Sequence, residues 1–209
     1  ILQHDRYAHL REDSKDICQL CPIKLDAAVE LFTDLFGELC KTHTSEYLHV
    51  GCDEAYLLGK CTACSDKSRK HSKSKLFVDY VSAMCDIVKK LGRRPIIWAD
   101  MLLAHPEAAS ELPKDLVIVD WNYGWNADRF GSNKPLIKAG LELWGAPALR
   151  SYPDDNYLVD FEKHLRNFRD FVPFSQKSGY RGILLTSWST SGQYGFEWGA
   201  CYESIDMFP

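Results

Sequence analysis

Apolar residues in this chain fall into two kinds of run that alternate along its length. Leu25, Ala28, Val29, Phe32, Leu35, Phe36 and Leu39 recur at spacings of three and four, which predicts a helix from about Lys24 to Cys40 with one buried face, opened by Pro22. The spacing returns between Leu76 and Leu91 in Phe77, Tyr80, Val81, Met84, Ile87 and Val88, with Gly92 as the stop, and again in Leu158, Phe161, Leu165, Phe168, Phe171 and Val172. Interleaved with these are short apolar runs: 47–50 closed by Gly51, PIIWA at 95–99, LVIV at 116–119, a weaker run at 141–146, and GILL at 182–185. They read as five strands centred near Leu48, Ile97, Val117, Leu143 and Leu184, and short apolar strands separated by helices predict a parallel sheet covered on both faces. Ile1 to Cys21 reads as polar and irregular, and SDKSRKHSKSK after Cys64 as a basic, solvated loop.

A doubly wound open sheet can use five strands. Four of these end in Trp or an acidic residue, however, and that predicts one shared rim, so the expected fold class is α/β, a (β/α)8 TIM barrel. A whole barrel takes about 250 residues and eight strands. The 209 residues are therefore expected to supply about its last five βα units, as one domain over residues 1–209 with no internal repeat or low-complexity linker.

Composition narrows the partners. Hydrophobic residues make up 45% of the chain, enough for a sizeable core, and 25 basic against 29 acidic residues give a net charge of −4. That balance gives no electrostatic case for nucleic acid or an anionic membrane as a partner. No apolar run approaches the roughly 20 residues of a membrane-crossing helix, and no signal peptide opens the chain, which begins at Ile1 in mid-pattern and leaves an upstream targeting segment open. Eight cysteines include two Cys-x-x-Cys pairs, Cys18 with Cys21 and Cys61 with Cys64, beside the scattered Cys40, Cys52, Cys85 and Cys201. Such pairs suit a structural, tetrahedral zinc site at Cys18, Cys21, Cys61 and Cys64. Free thiols in a reducing compartment such as the cytoplasm, and disulfides, fit the same residues. None of these readings makes the cysteines catalytic.

The candidate chemistry follows the first strand. Asp53 and Glu54 stand just beyond it, where α/β folds gather their chemistry, because loops leaving strand ends aim side chains while the sheet stays rigid. Adjacent strand residues point to opposite faces, so both carboxylates reach one substrate only if the chain bends there, which Gly51 permits. A polar loop start is the plain alternative.

HVGCDEAY resembles the H-x-G-G-D-E signature of glycoside hydrolase family 20, the β-N-acetylhexosaminidases, with His49, Gly51, Asp53 and Glu54 matching and Cys52 in place of the second glycine. The LGKC, WADM, DWNYGW and TSWSTSG segments resemble the branch typified by hexosaminidase D, so the likeness runs from about Ile1 to Gly199. It implies a glycosidase that removes terminal β-linked N-acetylhexosamine from a glycoconjugate or oligosaccharide and needs no cofactor. Glu54 would be the general acid and then base, and Asp53 would orient the substrate's own 2-acetamido group, the nucleophile of a retaining, substrate-assisted reaction through an oxazolinium ion.

The motif ends the fourth strand in that family, so three units, with an arginine that grips the sugar hydroxyls, are expected upstream. Trp98, Trp121, Trp144 and Trp188, each at or near a strand end, are expected to wall an acetamido pocket, although core packing would also occupy any one of them. Tyr123 is a candidate donor to the acetamido oxygen by the same likeness. His49 is either a structural or a substrate-binding histidine, and Asp100 either binds a sugar hydroxyl or caps the loop at Met101. A catalytically silent carbohydrate-binding protein and a zinc-stabilised interaction module are the alternatives.

Overall fold

Every long periodic run expected to be helical is helical, and every apolar run expected to be a strand contributes at least two strand residues. The computed structural model of the chain describes residues 1–127, 129–151 and 159–188. Leu158, Cys201 and the part of TSWSTSG from Ser189 onward lie outside the described residues. In chain order the elements are α1 (Leu25–Thr42), β1 (Tyr47–His49), α2 (Thr62–Lys70), α3 (Lys73–Lys90), β2 (Arg94–Trp98), α4 (Asp100–Ala104), β3 (Val117–Trp121), α5 (Lys134–Lys138), β4 (Glu142–Ala146), β5 (Ala148–Arg150), α6 (Phe161–Lys177), β6 (Gly182–Ile183) and β7 (Thr186–Ser187). Five strands form one hydrogen-bonded sheet in the order β1-β2-β3-β4-β6, and β5 and β7 form a second. The chain divides into two compact units, Ile1–Val117 with Ser132–Leu141, and Ile118–Gly131 with Glu142–Pro209.

In the first unit β1 runs parallel to β2, with Tyr47 opposite Arg94, Leu48 opposite Pro95 and His49 opposite Ile96. The ladder carries on past β1, since Val50 N–H donates to Ile96 O at 2.9 Å and Trp98 N–H to Gly51 O at 3.0 Å. Helix α3 turns Leu76, Val81, Met84, Ile87 and Val88 inward, and Met84 and Ile87 meet Ala28 of α1, with Val29, Phe32 and Phe36 around them. Each fully buried side chain of this size contributes about 1.5–3 kcal/mol by leaving water.

Two expectations fail in this unit. SDKSRKHSKSK is not a loop: most of it belongs to α2 and to the start of α3. Cys61 Sγ accepts Cys64 N–H at 3.3 Å at the start of α2, and Ser72 Oγ accepts Lys75 N–H at 3.0 Å at the start of α3. Only Cys64 of α2 is buried, so no apolar period announced the helix, while its lysines lie on a solvated face and pair with acids, as Lys67 does with Asp79 at 3.0 Å. Nor is Ile1 to Cys21 irregular. A 3-10 turn at Asp5–Leu10 leads into an antiparallel bridge between Arg11 and Leu20, flanked by Cys21 N–H on Leu10 O at 2.8 Å and Glu12 N–H on Gln19 O at 3.1 Å.

In the second unit β4 runs parallel to β6, with Trp144 opposite Gly182 and Gly145 opposite Ile183. The GILL run breaks after Ile183 and resumes at Thr186 to pair with β5, and Ile183 and Leu185 are exposed rather than buried. Asp160 caps α6 by accepting Lys163 N–H at 3.0 Å, which opens the helix at Phe161. It passes through Pro173, and Ser175 beyond the proline is still buried.

Candidate active site

The acid pair sits where β1 stops being a strand. Gly51 takes φ +77°, Cys52 φ +69° and Glu54 φ +48°, three left-handed residues within four positions. Left-handed backbone costs a residue with a Cβ about 1–2 kcal/mol, and such conformations persist where surrounding bonds hold them. Here the bond is visible. Asp100, buried at the first position of α4 beyond β2, accepts Glu54 N–H on Oδ2 at 2.9 Å. Asp100 thus meets the backbone of the acid loop. Tyr56, which the sequence reading did not select, donates its hydroxyl to Glu54 Oε1 at 2.9 Å.

Charge is concentrated at this bend. Partial desolvation, with the Asp100 and Glu54 carboxylates close by, holds the Asp53 carboxyl above its ordinary value. Desolvation and the same Glu54 contact push the Tyr56 phenol up to about 12, so it remains a donor. Burial raises the Cys52 thiol, which keeps it protonated and unreactive. His49 accepts Gly51 N–H on Nδ1 at 3.0 Å and packs its ring 4.4 Å from Trp98. Burial lowers its pKa to about 4, and its Nε2 has no partner among the described residues. A neutral ring with Nδ1 accepting carries its proton on Nε2. Asp53, Glu54 and Tyr56 line a cavity of about 780 Å³ together with Val50, Cys52 and Tyr80. That size is in the range that holds small ligands.

Of the aromatic candidates, Trp98 lies in the first unit against His49, and the second unit gathers Trp121, Tyr123 and Trp188 around the end of β3. Trp121 lies 5.1 Å from Tyr123, 4.5 Å from Phe130 and 5.6 Å from Trp125. Trp188, 44% exposed, donates Nε1–H to the Tyr123 hydroxyl at 2.6 Å. Trp144 is placed differently, at the centre of β4, where its indole covers Gly182 and donates to Glu142 Oε1 at 2.8 Å. Asp120, buried beside Trp121, accepts the Tyr180 hydroxyl at 2.5 Å. A buried acid at a strand end was the available signal for that pair, and the distance of 60 residues in sequence hid its partner.

The model of the glycosyl hydrolase family 20 catalytic domain matches residues 3–180. Hexosaminidase D of Bos taurus is 31% identical over 206 residues, covering 90% of this chain and 59% of that protein, and hexosaminidase D of Homo sapiens is 30% identical over 212 residues, covering 93% and 43%. The chain thus spans about half the length of these curated relatives. Among solved structures, dispersin B aligns with a TM-score of 0.64 at 14% identity over 97% of this chain and 64% of its own. The β-N-acetylhexosaminidase of Bacteroides fragilis aligns with a TM-score of 0.52 at 20% identity over 69% and 30%. These two likenesses speak for the fold, the expected (β/α)8 barrel, to which this chain brings its five-stranded sheet. With the catalytic-domain match spanning 3–180, the chain belongs to glycoside hydrolase family 20.

Proposed function

We propose that this chain carries the acid pair of an exo-acting β-N-acetylhexosaminidase that works with retention of configuration and with help from its substrate. The observation that carries the reading is the pair itself: Asp53 and Glu54 at a strand end, in a bend held by Asp100, beside a cavity. Glu54 gives its proton to the glycosidic oxygen as the bond from that oxygen to the anomeric carbon breaks. The carbonyl oxygen of the 2-acetamido group forms the new bond to that carbon from the opposite face, giving the oxazolinium ion. Asp53, as carboxylate, sits against the acetamido N–H and stabilises its developing positive charge. Water then attacks the anomeric carbon as its bond to the acetamido oxygen breaks and the 2-acetamido group is restored, Glu54 takes the proton from the water, and the two inversions restore the starting configuration.

Tyr56 and Asp100 act as positioning residues, one on the Glu54 carboxylate and one on its backbone. The exposed indole of Trp188, held by the hydroxyl of the buried Tyr123, has the character that takes the apolar face of a sugar ring. The substrate in this reading is a glycoconjugate or oligosaccharide ending in β-linked N-acetylhexosamine, and the reaction uses no cofactor.

The test, made on the protein with a whole eight-stranded barrel, compares nitrophenyl N-acetyl-β-glucosaminide with nitrophenyl β-glucoside. Turnover of the first alone, blocked by a thiazoline mimic of the oxazolinium ion, is expected. Equal turnover of both, or of neither, would overturn the reading. Glu54→Gln is expected to abolish turnover of poor leaving groups while sparing activated aryl ones, which need no proton. Equal loss on both classes removes Glu54 from the acid role.

A further inference from the structure

A hairpin and a helix start whose residues lie 40 to 52 apart in sequence bring four potential metal ligands to one point. Glu12, Cys21, Cys61 and Cys64 place their ligand atoms all within 4.8 Å of one another. The sulfurs of Cys21 and Cys61 are 3.8 Å apart and those of Cys21 and Cys64 3.5 Å, while Cys64 Sγ lies 3.2 Å from Glu12 Oε2. Zinc–sulfur bonds of about 2.3 Å at tetrahedral angles put neighbouring sulfurs about 3.8 Å apart, so the spacing is that of ligands around one ion.

Burial and charge point the same way. Cys21 and Cys64 are wholly buried, and Glu12 is only 3% exposed. No basic side chain among the described residues pairs with Glu12, whose carboxylate meets Cys61 N–H at 2.9 Å and the thiol of Cys64. A buried carboxylate with no cation opposite is costly, and three thiols are poor compensation. The surrounding bonds suit thiolates too: Cys61 Sγ accepts Cys64 N–H, a contact that orients a sulfur ligand from outside the coordination shell. The hairpin bonds on either side, Cys21 to Leu10 and Glu12 to Gln19, hold the other two ligands.

We propose that Glu12, Cys21, Cys61 and Cys64 bind one zinc ion as a structural site. The ion replaces three thiol protons, which pass to solvent, and the Glu12 carboxylate closes the tetrahedron. Cys18, the fourth cysteine of the two Cys-x-x-Cys pairs, is exposed and stays outside the set. The site ties the 10–21 hairpin to the loop that starts at Glu54, a join that Gln19 already makes by accepting Leu57 N–H on Oε1 at 2.7 Å. It stands independently of the hydrolase reading, because its readout is the metal.

The full chain, grown with zinc and purified without chelator, is analysed for metal content and for thiols under native and denaturing conditions. Close to one zinc per chain is expected, with Cys21, Cys61 and Cys64 unreactive until the chain is denatured with a chelator. Cobalt(II) in place of zinc should give sulfur-to-metal charge-transfer and tetrahedral d–d absorption in the wild-type protein, so the result does not depend on a variant that folds. Cys18→Ser should keep the ion and Cys61→Ser should lose it. Absence of metal, a disulfide between Cys21 and Cys64 on non-reducing mass analysis, iron or copper instead of zinc, or retention of zinc by Cys61→Ser would each overturn the proposal.

Discussion

At the scale of single residues, the bend after β1 couples backbone strain to charge. Asp53 keeps its proton to a higher pH than an ordinary aspartate, because desolvation and neighbouring carboxylates disfavour the anion. The proposed reaction needs that anion. The rate should therefore fall on the acid side as pH drops through this raised value, at a higher pH than an unperturbed aspartate would give. Asp53→Asn should lose about 10²-fold in kcat for acetamido substrates and lose that acid limb with it; a limb unchanged in the variant assigns it elsewhere. Cys52 tests the strain. Relief of a left-handed residue, about 1–2 kcal/mol, exceeds the entropy that glycine costs, about 0.5–1 kcal/mol. Cys52→Gly should thus be at least as stable as the wild type in urea unfolding. A loss beyond about 1 kcal/mol would mean that thiol packing, not strain, dominates the position.

At the scale of elements, α2, α3 and α6 each begin at a side chain that closes the first turn: Cys61, Ser72 and Asp160. Ser72 stands between α2 and α3 in the basic run, and its hydroxyl takes the Lys75 N–H. Ser72→Ala should cost about 1 kcal/mol in chemical unfolding without changing catalysis, the usual worth of an N-cap. A cost near zero would show that burial of the α3 face alone sets the helix start. The packing of α6 on β4 is tighter still. A Cβ added at Gly145 would lie 2.4 Å from Ser175 Oγ and 3.2 Å from both Ile183 and Phe171. Gly145→Ala should destabilise by about 1–3 kcal/mol, the range for overpacking a close-packed interior. An alanine accepted without cost would mean that Ser175 turns away.

At the scale of the whole molecule, the weak net charge and the βα order bear most on function. A net charge of −4 over 209 residues creates little long-range field to concentrate a charged ligand, and a terminal N-acetylhexosamine is neutral. KM for a neutral chromogenic substrate should therefore change by less than about twofold between about 0.05 and about 0.5 M salt, over which screening lengths shorten several-fold. A steeper dependence would reveal charge in the substrate contacts. No described helix is long and apolar enough to cross a membrane. Helices alternate with the strands of one sheet in the order β1-β2-β3-β4-β6, so each connection returns beside the strand it left, the plan of a barrel built from βα repeats.

The βα order, the long helices and the acid pair were legible in the sequence because each is written in neighbouring residues. Periods of three to four mark the buried faces of α1 and α3, and Gly51 to Glu54 is one contiguous motif. The polar helix α2, with one buried residue, has no such period, and neither has the Arg11–Leu20 bridge. Contacts between residues far apart in sequence leave no local signature either. Asp100 reaches Glu54 N–H across 46 residues, and Glu12 reaches Cys64 across 52. Cys-x-x-Cys spacing pointed to metal-binding cysteines, but spacing within each pair says nothing of how the two pairs face one another. The cost of leaving a buried carboxylate, two buried thiols and a half-buried one without suitable partners is a property of the packed interior. Only the tertiary structure therefore put Glu12, and not Cys18, at the fourth corner.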